Sequence, residues 1–136
     1  MGQIKTTDVD LIAPEETEAF IDANLYLFYT HLKATFPDIY VNAKWGQRVN
    51  SYAGHRPQEC KIGAKGSAHK LGKALDLHMP TKVGLIKLRQ YIEAYGYPHG
   101  IRRLEAATAT PTWVHMDTVE KIVDGKPLTS IYTFNP

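Results

Sequence analysis

Two stretches distant in the chain must end up side by side if the residues they carry are to work together. One is Ser67-Ala68-His69-Lys70-Leu71-Gly72-Lys73-Ala74-Leu75-Asp76-Leu77-His78, and the other is Trp113-Val114-His115-Met116-Asp117. Two imidazoles and a carboxylate, from His69, Asp76 and His115, form a donor set that suits zinc at about 2.0–2.2 Å and leaves a fourth coordination position open. The local order of residues fits that use. His69 can end a loop, Gly72 permits a sharp backbone turn, and Asp76 can point inward from the strand that follows. His115 then comes from a second strand, with Asp117 two residues on and facing the same side. A carboxylate so placed can accept the remaining N–H of a ligating histidine and fix its tautomer.

The rest of the chain supplies a scaffold for such a pair of strands. With 136 residues and 43 % hydrophobic content it is long enough for one ordinary core, so a single domain over residues 1–136 is expected. The only cysteine, Cys60, rules out an intramolecular disulfide, and with no dedicated base near it in sequence it reads as a plain loop cysteine. The formal charge is +2 with the basic residues spread along the chain, which argues against a nucleic-acid stripe or a polybasic membrane anchor. The first residues lack the apolar core of a secretory signal, and no stretch reaches the roughly 18 apolar residues of a membrane span. The expectation is a protein made in the cytoplasm, not inserted in a membrane, that reaches any target beyond it by release or delivery. The sequence leaves oligomeric state open.

Periodicity predicts a first helix over Glu15 to Phe36, with Pro14, Glu15 and Glu16 at its start and Pro37-Asp38 at its end. One or two short strands are expected between Ile39 and Tyr52, a loop from Gly54 to Ser67, and a strand from Ala74 to Met79. A second helix should run from Val83 to Tyr95 between a Thr81 cap and Gly96. Further strands are expected at Ile101–Leu104 and Thr112–Asp117, and Asp124-Gly125 reads as a turn between two final short strands. The order is α+β: an antiparallel sheet carrying the metal ligands on one face, covered by two helices on the other.

The Ser67 to Asp76 block together with Trp113 to Asp117 closely resembles the superfamily of zinc D-Ala-D-Ala carboxypeptidases and L-alanyl-D-glutamate endopeptidases. That group also holds lysostaphin-type enzymes and the hedgehog signalling domain. Ser67, His69, Gly72, Ala74, Asp76, His115 and Asp117 fall on its pattern, and the likeness extends from about Ile39 to Thr118. The resemblance implies the fold of that group, a zinc cofactor, and hydrolysis of a peptide bond in peptidoglycan stem peptides, as in a phage or prophage lysin. Upstream, Asn50 to Pro57 is similar to the segment of these enzymes that ends in a Gly-Tyr-Arg-like element. It implies that Arg56 binds a substrate carboxylate or carbonyl, with Ser67 also orienting the substrate.

One departure matters. Many relatives carry the general base as a glutamate three residues before the last zinc histidine, where this chain has Thr112. Glu105 is the leading substitute, with His99 and Glu59 behind it. The same departure supports a rival reading, a non-catalytic zinc-binding module or a phage structural component of the same fold. Among the remaining candidates, His31 reads as structural, His55 and His78 are open between site and scaffold, and Trp113 is open between core and cleft wall.

Overall fold

A computed structural model describes residues 2–63, 67–127 and 129–135. The chain begins with a hairpin of β1 (Gln3–Thr6) and β2 (Ala19–Asp22), followed directly by α1 (Ala23–Thr35). A small hairpin, β3 (Ala43–Lys44) and β4 (Gln47–Arg48), precedes the long loop that leads to β5 (Ala74–Leu77). Next come α2 (Lys82–Tyr95), a 3-10 turn at Tyr97–His99, β6 (Arg103–Glu105) and β7 (Val114–Asp117). The chain closes with β8 (Ile122–Val123), β9 (Lys126–Pro127) and β10 (Tyr132–Phe134). This is a mixed α+β architecture of two helices and small sheets.

The first helix starts later than Glu15, because the residues ahead of it alternate rather than follow a helical stripe. Ala19 and Ile21 are buried while Phe20 is 52 % exposed, the period of a strand. Pro14, Glu15 and Glu16 belong to a turn in which Glu16 accepts the Ala13 N–H through Oε1 at 2.9 Å. The helix is instead capped by Asp22, whose Oδ1 accepts the N–H groups of Asn24 and Leu25 at 2.9 and 3.3 Å. Its buried face is Leu25, Phe28, Tyr29 and Leu32. The second helix follows expectation: Thr81 Oγ1 accepts the Gly84 N–H at 3.0 Å, and Leu85, Leu88 and Ile92 are buried. Among the described residues no helix is long and apolar enough to cross a membrane.

The main sheet has the order β10-β6-β7-β5. It departs from a purely antiparallel arrangement at its edge, since β10 runs parallel to β6 while β6, β7 and β5 are antiparallel. The Asp124-Gly125 turn, with φ of 54° and 75°, closes β8 on β9 as a separate hairpin. That detour lets the chain return to the far edge of the sheet in the parallel sense.

Alternation divides the sheet into two faces. Leu75 and Leu77 of β5, Leu104 of β6, and Val114 and Met116 of β7 join the core with Leu25, Phe28, Leu32, Leu88 and Ile92 of the helices. Each such side chain contributes about 1.5–3 kcal/mol when fully buried. The residues between them, Asp76, Arg103, Glu105, His115 and Asp117, are left for the opposite face.

Gly72 ties the loop that carries His69 to the opening hairpin. Its φ is +71°, a Cβ there would lie 2.3 Å from the carbonyl oxygen of Phe20, and its own carbonyl accepts the Asp22 N–H at 2.8 Å. Gly72→Ala is therefore expected to destabilise the protein by about 2–4 kcal/mol, combining left-handed strain with a backbone clash that no side-chain rotation relieves. Urea unfolding of the variant checks this, and an unchanged midpoint would contradict it.

Candidate metal centre

The antiparallel pairing of β5 with β7 sets Asp76 directly opposite His115 and Ala74 opposite Asp117. His69 stands in the turn just before β5, and its ring reaches the same place. The two imidazoles meet edge to face with centroids 5.1 Å apart.

A backbone hydrogen bond decides which ring nitrogen of His69 is free. His69 Nδ1 is 3.0 Å from the carbonyl oxygen of Gly54, which can only accept, so Nδ1 carries the hydrogen. Nε2 is then the nitrogen left over, 3.3 Å from Asp76 Oδ1. His115 Nε2 is 2.9 Å from Asp117 Oδ2, and its Nδ1 is 2.9 Å from the same Asp76 Oδ1. The ligand atoms of His69, Asp76 and His115 all lie within 4.8 Å of one another. This buried cluster could hold a metal ion: two nitrogens and one oxygen converge, and each imidazole is oriented through its other nitrogen.

Asp117 is fully buried and is itself gripped by Arg103, whose Nε and Nη2 each approach its carboxylate at 2.9 Å. Arg103 was not among the candidates from sequence. The signal for it was the two-residue period of β6, which puts Arg103 and Glu105 on one face across the buried Leu104. Burial raises the Asp117 carboxyl, but the hydrogen bonds from His115 and Arg103 outweigh it and hold the group below the usual carboxylate range.

No protein-family model, curated protein or solved structure matches this chain. The chemistry of the site therefore rests on its own geometry and on the residues around it.

Those residues form a cleft of about 560 Å³, open to solvent, with the three candidate ligands in its lining. Arg56, Ser67, Arg103, Glu105, Trp113 and Phe134 complete the walls. Arg56 donates through Nε to the Tyr52 carbonyl at 2.7 Å and brings Nη2 to 3.7 Å from Asp76 Oδ2. Gly63, with φ of +84°, makes room for it, since a Cβ there would lie 2.7 Å from Arg56 Nη1. Glu105 and Trp113 are held from behind by Arg89 of α2, which donates to the Glu105 carbonyl at 2.8 Å and the Trp113 carbonyl at 3.2 Å. Sequence reasoning missed Arg89 because its partners are mainly backbone oxygens.

Other candidates are placed elsewhere. His99 stacks with Phe28 and His31, at 5.0 and 5.4 Å between centroids, on the helical side of the molecule. His31 also meets the Tyr91 hydroxyl at 2.7 Å, and His55 pairs with Glu16 at 2.6 Å. Glu59 is exposed and does not line the cleft. Thr112 is exposed beside Met79, Pro80 and Leu85, facing α2 rather than the ligands.

Without a metal, His115 holds a proton tightly. Burial would lower the His115 pKa, but hydrogen bonds to Asp117 and Asp76 overcome it and push the value up to about 9. Burial likewise acts to raise Asp76, and the hydrogen bonds of His115 and His69 pull it far below the usual carboxylate range instead. For a histidine with a folded pKa above its unfolded value of about 6.5, the contribution to stability is complete below 6.5 and disappears as pH rises through about 9. The chelator-treated protein is therefore expected to lose a few kcal/mol of stability between about pH 6.5 and 9. Saturating metal should remove that decline, because it replaces the proton on His115. Urea unfolding across this range is the check, and a flat profile for the metal-free protein would contradict the assignment.

Proposed function

We propose that this chain is a zinc-dependent peptidase that hydrolyses stem peptides of bacterial peptidoglycan, of the D-Ala-D-Ala carboxypeptidase or L-alanyl-D-glutamate endopeptidase type and fold. The observation that carries the reading is the convergence of two imidazoles, each held through its other ring nitrogen, on one carboxylate in the lining of an open cleft. It occurs on the very residues whose pattern resembles that superfamily. A set of two nitrogens and one oxygen with space beside it suits a catalytic zinc better than a closed structural site, which takes four protein ligands.

Zinc held by His69, Asp76 and His115 would supply Lewis acidity toward the scissile carbonyl and a water whose pKa falls to about 7. The chain's own residues account for the rest. Glu105, in the cleft wall, takes a proton from the attacking water and delivers it to the leaving amine. Arg56 stands beside Asp76, where its fork can meet a substrate carbonyl or carboxylate, and Ser67 supplies a hydroxyl on the same wall. Asp117 and Arg103 keep His115 in one orientation. The setting that fits is a lysin of phage or prophage kind, acting on the wall after release or delivery.

A second reading, a non-catalytic zinc-binding module or particle component of this fold, draws on Thr112, which faces away from the cleft and can serve as no base. Incubation of the zinc-loaded protein with purified peptidoglycan separates the two. New amino termini are expected under the peptidase reading, and a protein with stoichiometric zinc that releases none would favour the module.

A further inference from the structure

Away from the cleft, the hairpin of β3 and β4 carries a residue that its turn does not favour. Lys44 pairs with Gln47, so Trp45 and Gly46 alone make the loop, with φ of 51° and 78°. A two-residue turn with both φ positive prefers Asn-Gly, and a bulky side chain in that conformation is strained. Trp45 is also 82 % exposed, more than any other large apolar side chain among the described residues. Neither burial nor local propensity accounts for an indole there, and strain of this kind collects at binding sites.

The indole lines a pocket of about 290 Å³ together with Asp8, Lys33, Asp38, Tyr40 and Lys44. The Lys44 ammonium stands 4.5 Å from the centroid of the Trp45 ring and 5.5 Å from that of Tyr40, so one cation spans two aromatic rings. The segment that leads from Tyr40 into the hairpin is fixed, because the buried Asp10 carboxylate accepts the amide hydrogens of Val41, Asn42 and Ala43. Tyr40 also links the pocket to the candidate metal centre. Its ring stacks on His78 at 5.3 Å, and His78 stands two extended residues, about 6–7 Å, past Asp76.

We propose that this pocket binds a sugar ring, an N-acetylated hexosamine of the wall's glycan strand, and so holds the polymer whose stem peptide enters the cleft. The glycan as the source of the sugar rests on the peptidase reading; the fit of a sugar ring does not. Charges of both signs in the lining disfavour a strongly charged ligand of either sign. A neutral ring with hydroxyls and an acetamido group can donate to Asp8 and Asp38 and accept from Lys33 and Lys44. The C–H face of a pyranose packs against an aromatic ring, whose π face is negative. The volume is at the small end of ligand sites and suits a ring, not the face of a protein, which would cover about 800 Å². From the pocket, a few stem residues spanning up to about 3.5 Å each reach Asp76.

The test uses the whole chain, with and without zinc, and a chito-oligosaccharide of N-acetylglucosamine as probe. Calorimetry is expected to give a Kd of about 1 mM in both states. In NMR spectra the indole N–H of Trp45 should shift, and that of Trp113, the second of the two tryptophans, should not. Trp45→Asn, which suits the turn, should weaken sugar binding at least about tenfold while keeping zinc content and thermal midpoint. On whole peptidoglycan its KM should rise at least about threefold with kcat kept, and on a sugar-free stem peptide neither constant should change. No heat and no shift at about 20 mM sugar would overturn the inference. So would a Trp45→Asn protein that binds the sugar as before, or a Trp45 shift produced by the stem peptide and not by the sugar. In each case peptidase activity on the wall leaves the earlier reading standing. Sugar binding that depends on Trp45, in zinc-loaded protein that cuts neither peptidoglycan nor stem peptide, would instead overturn the peptidase reading and support the sugar site.

Discussion

Glu105→Gln is expected to keep its metal and lose 10²- to 10⁴-fold in kcat, roughly the contribution of one positioned general base. The position of Glu105 is settled by three independent restraints. Leu104, fully buried in the core, anchors the middle of β6, and Arg89 holds the Glu105 carbonyl from the helix side. The register that sets Arg103 opposite Asp117 and Leu104 opposite Met116, carried one residue further, brings Glu105 level with His115. Its side chain lines the cleft. Glutamine keeps the shape and removes the basicity, so zinc content by elemental analysis and KM should change little while release of amino termini collapses. The other carboxylates offer no ready substitute: Asp117 is enclosed between His115 and Arg103, and Glu59 lies outside the cleft. Turnover within about threefold of the parent would remove Glu105 from the mechanism.

The meeting of Asp76, His115 and Asp117 on one face was legible in the sequence because two-residue alternation is a strict rule. Once Ala74 to Leu77 and Val114 to Asp117 are strands with apolar residues on the core side, Asp76, His115 and Asp117 have only the other face to occupy. The second helix was legible for a similar reason, since the Thr81 cap, the apolar spacing and Gly96 all agree. The first helix misled because Pro14-Glu15-Glu16 serves a turn as well as a helix start, and the apolar residues Phe20 and Ile21 mimic a continuing stripe while belonging to β2.

What escaped were contacts made at long range to the backbone. Asp10 is buried with its carboxylate accepting the amide hydrogens of Val41, Asn42 and Ala43 and the hydroxyl of Tyr29, and no local pattern marks a carboxylate for that use. Arg89 is the same case, and the parallel docking of β10 on β6 depends on a return path that only the completed fold defines. These hidden contacts matter to the site because they hold segments that carry its walls, whereas two of the three candidate ligands, Asp76 and His115, are held by the sheet.

Asp76→Ala and Asp117→Asn should part company in metal affinity, because one removes a donor and the other only a support. Apparent zinc-binding energies of well-formed sites are about 10–16 kcal/mol, so deleting one of three protein ligands is expected to weaken binding by roughly 10³-fold or more and to leave less than a tenth of the protein loaded after dialysis. The loss is compounded locally, since Asp76 is the acceptor that both His69 Nε2 and His115 Nδ1 approach and the nearest carboxylate to Arg56. Without it two imidazoles and a guanidinium face one another with no anion between them, which favours spreading over convergence. Asp117→Asn keeps all three donors. Its amide oxygen can still accept from His115 Nε2, while the weaker, uncharged partner and the disturbed Arg103 fork should cost about 10- to 100-fold in affinity. Competition with a chelator of known affinity, read by elemental analysis, ranks the two. If Asp76→Ala retained zinc as firmly as Asp117→Asn, the metal would have to sit elsewhere, and the orientation of both imidazoles toward a single oxygen would need a structural explanation instead.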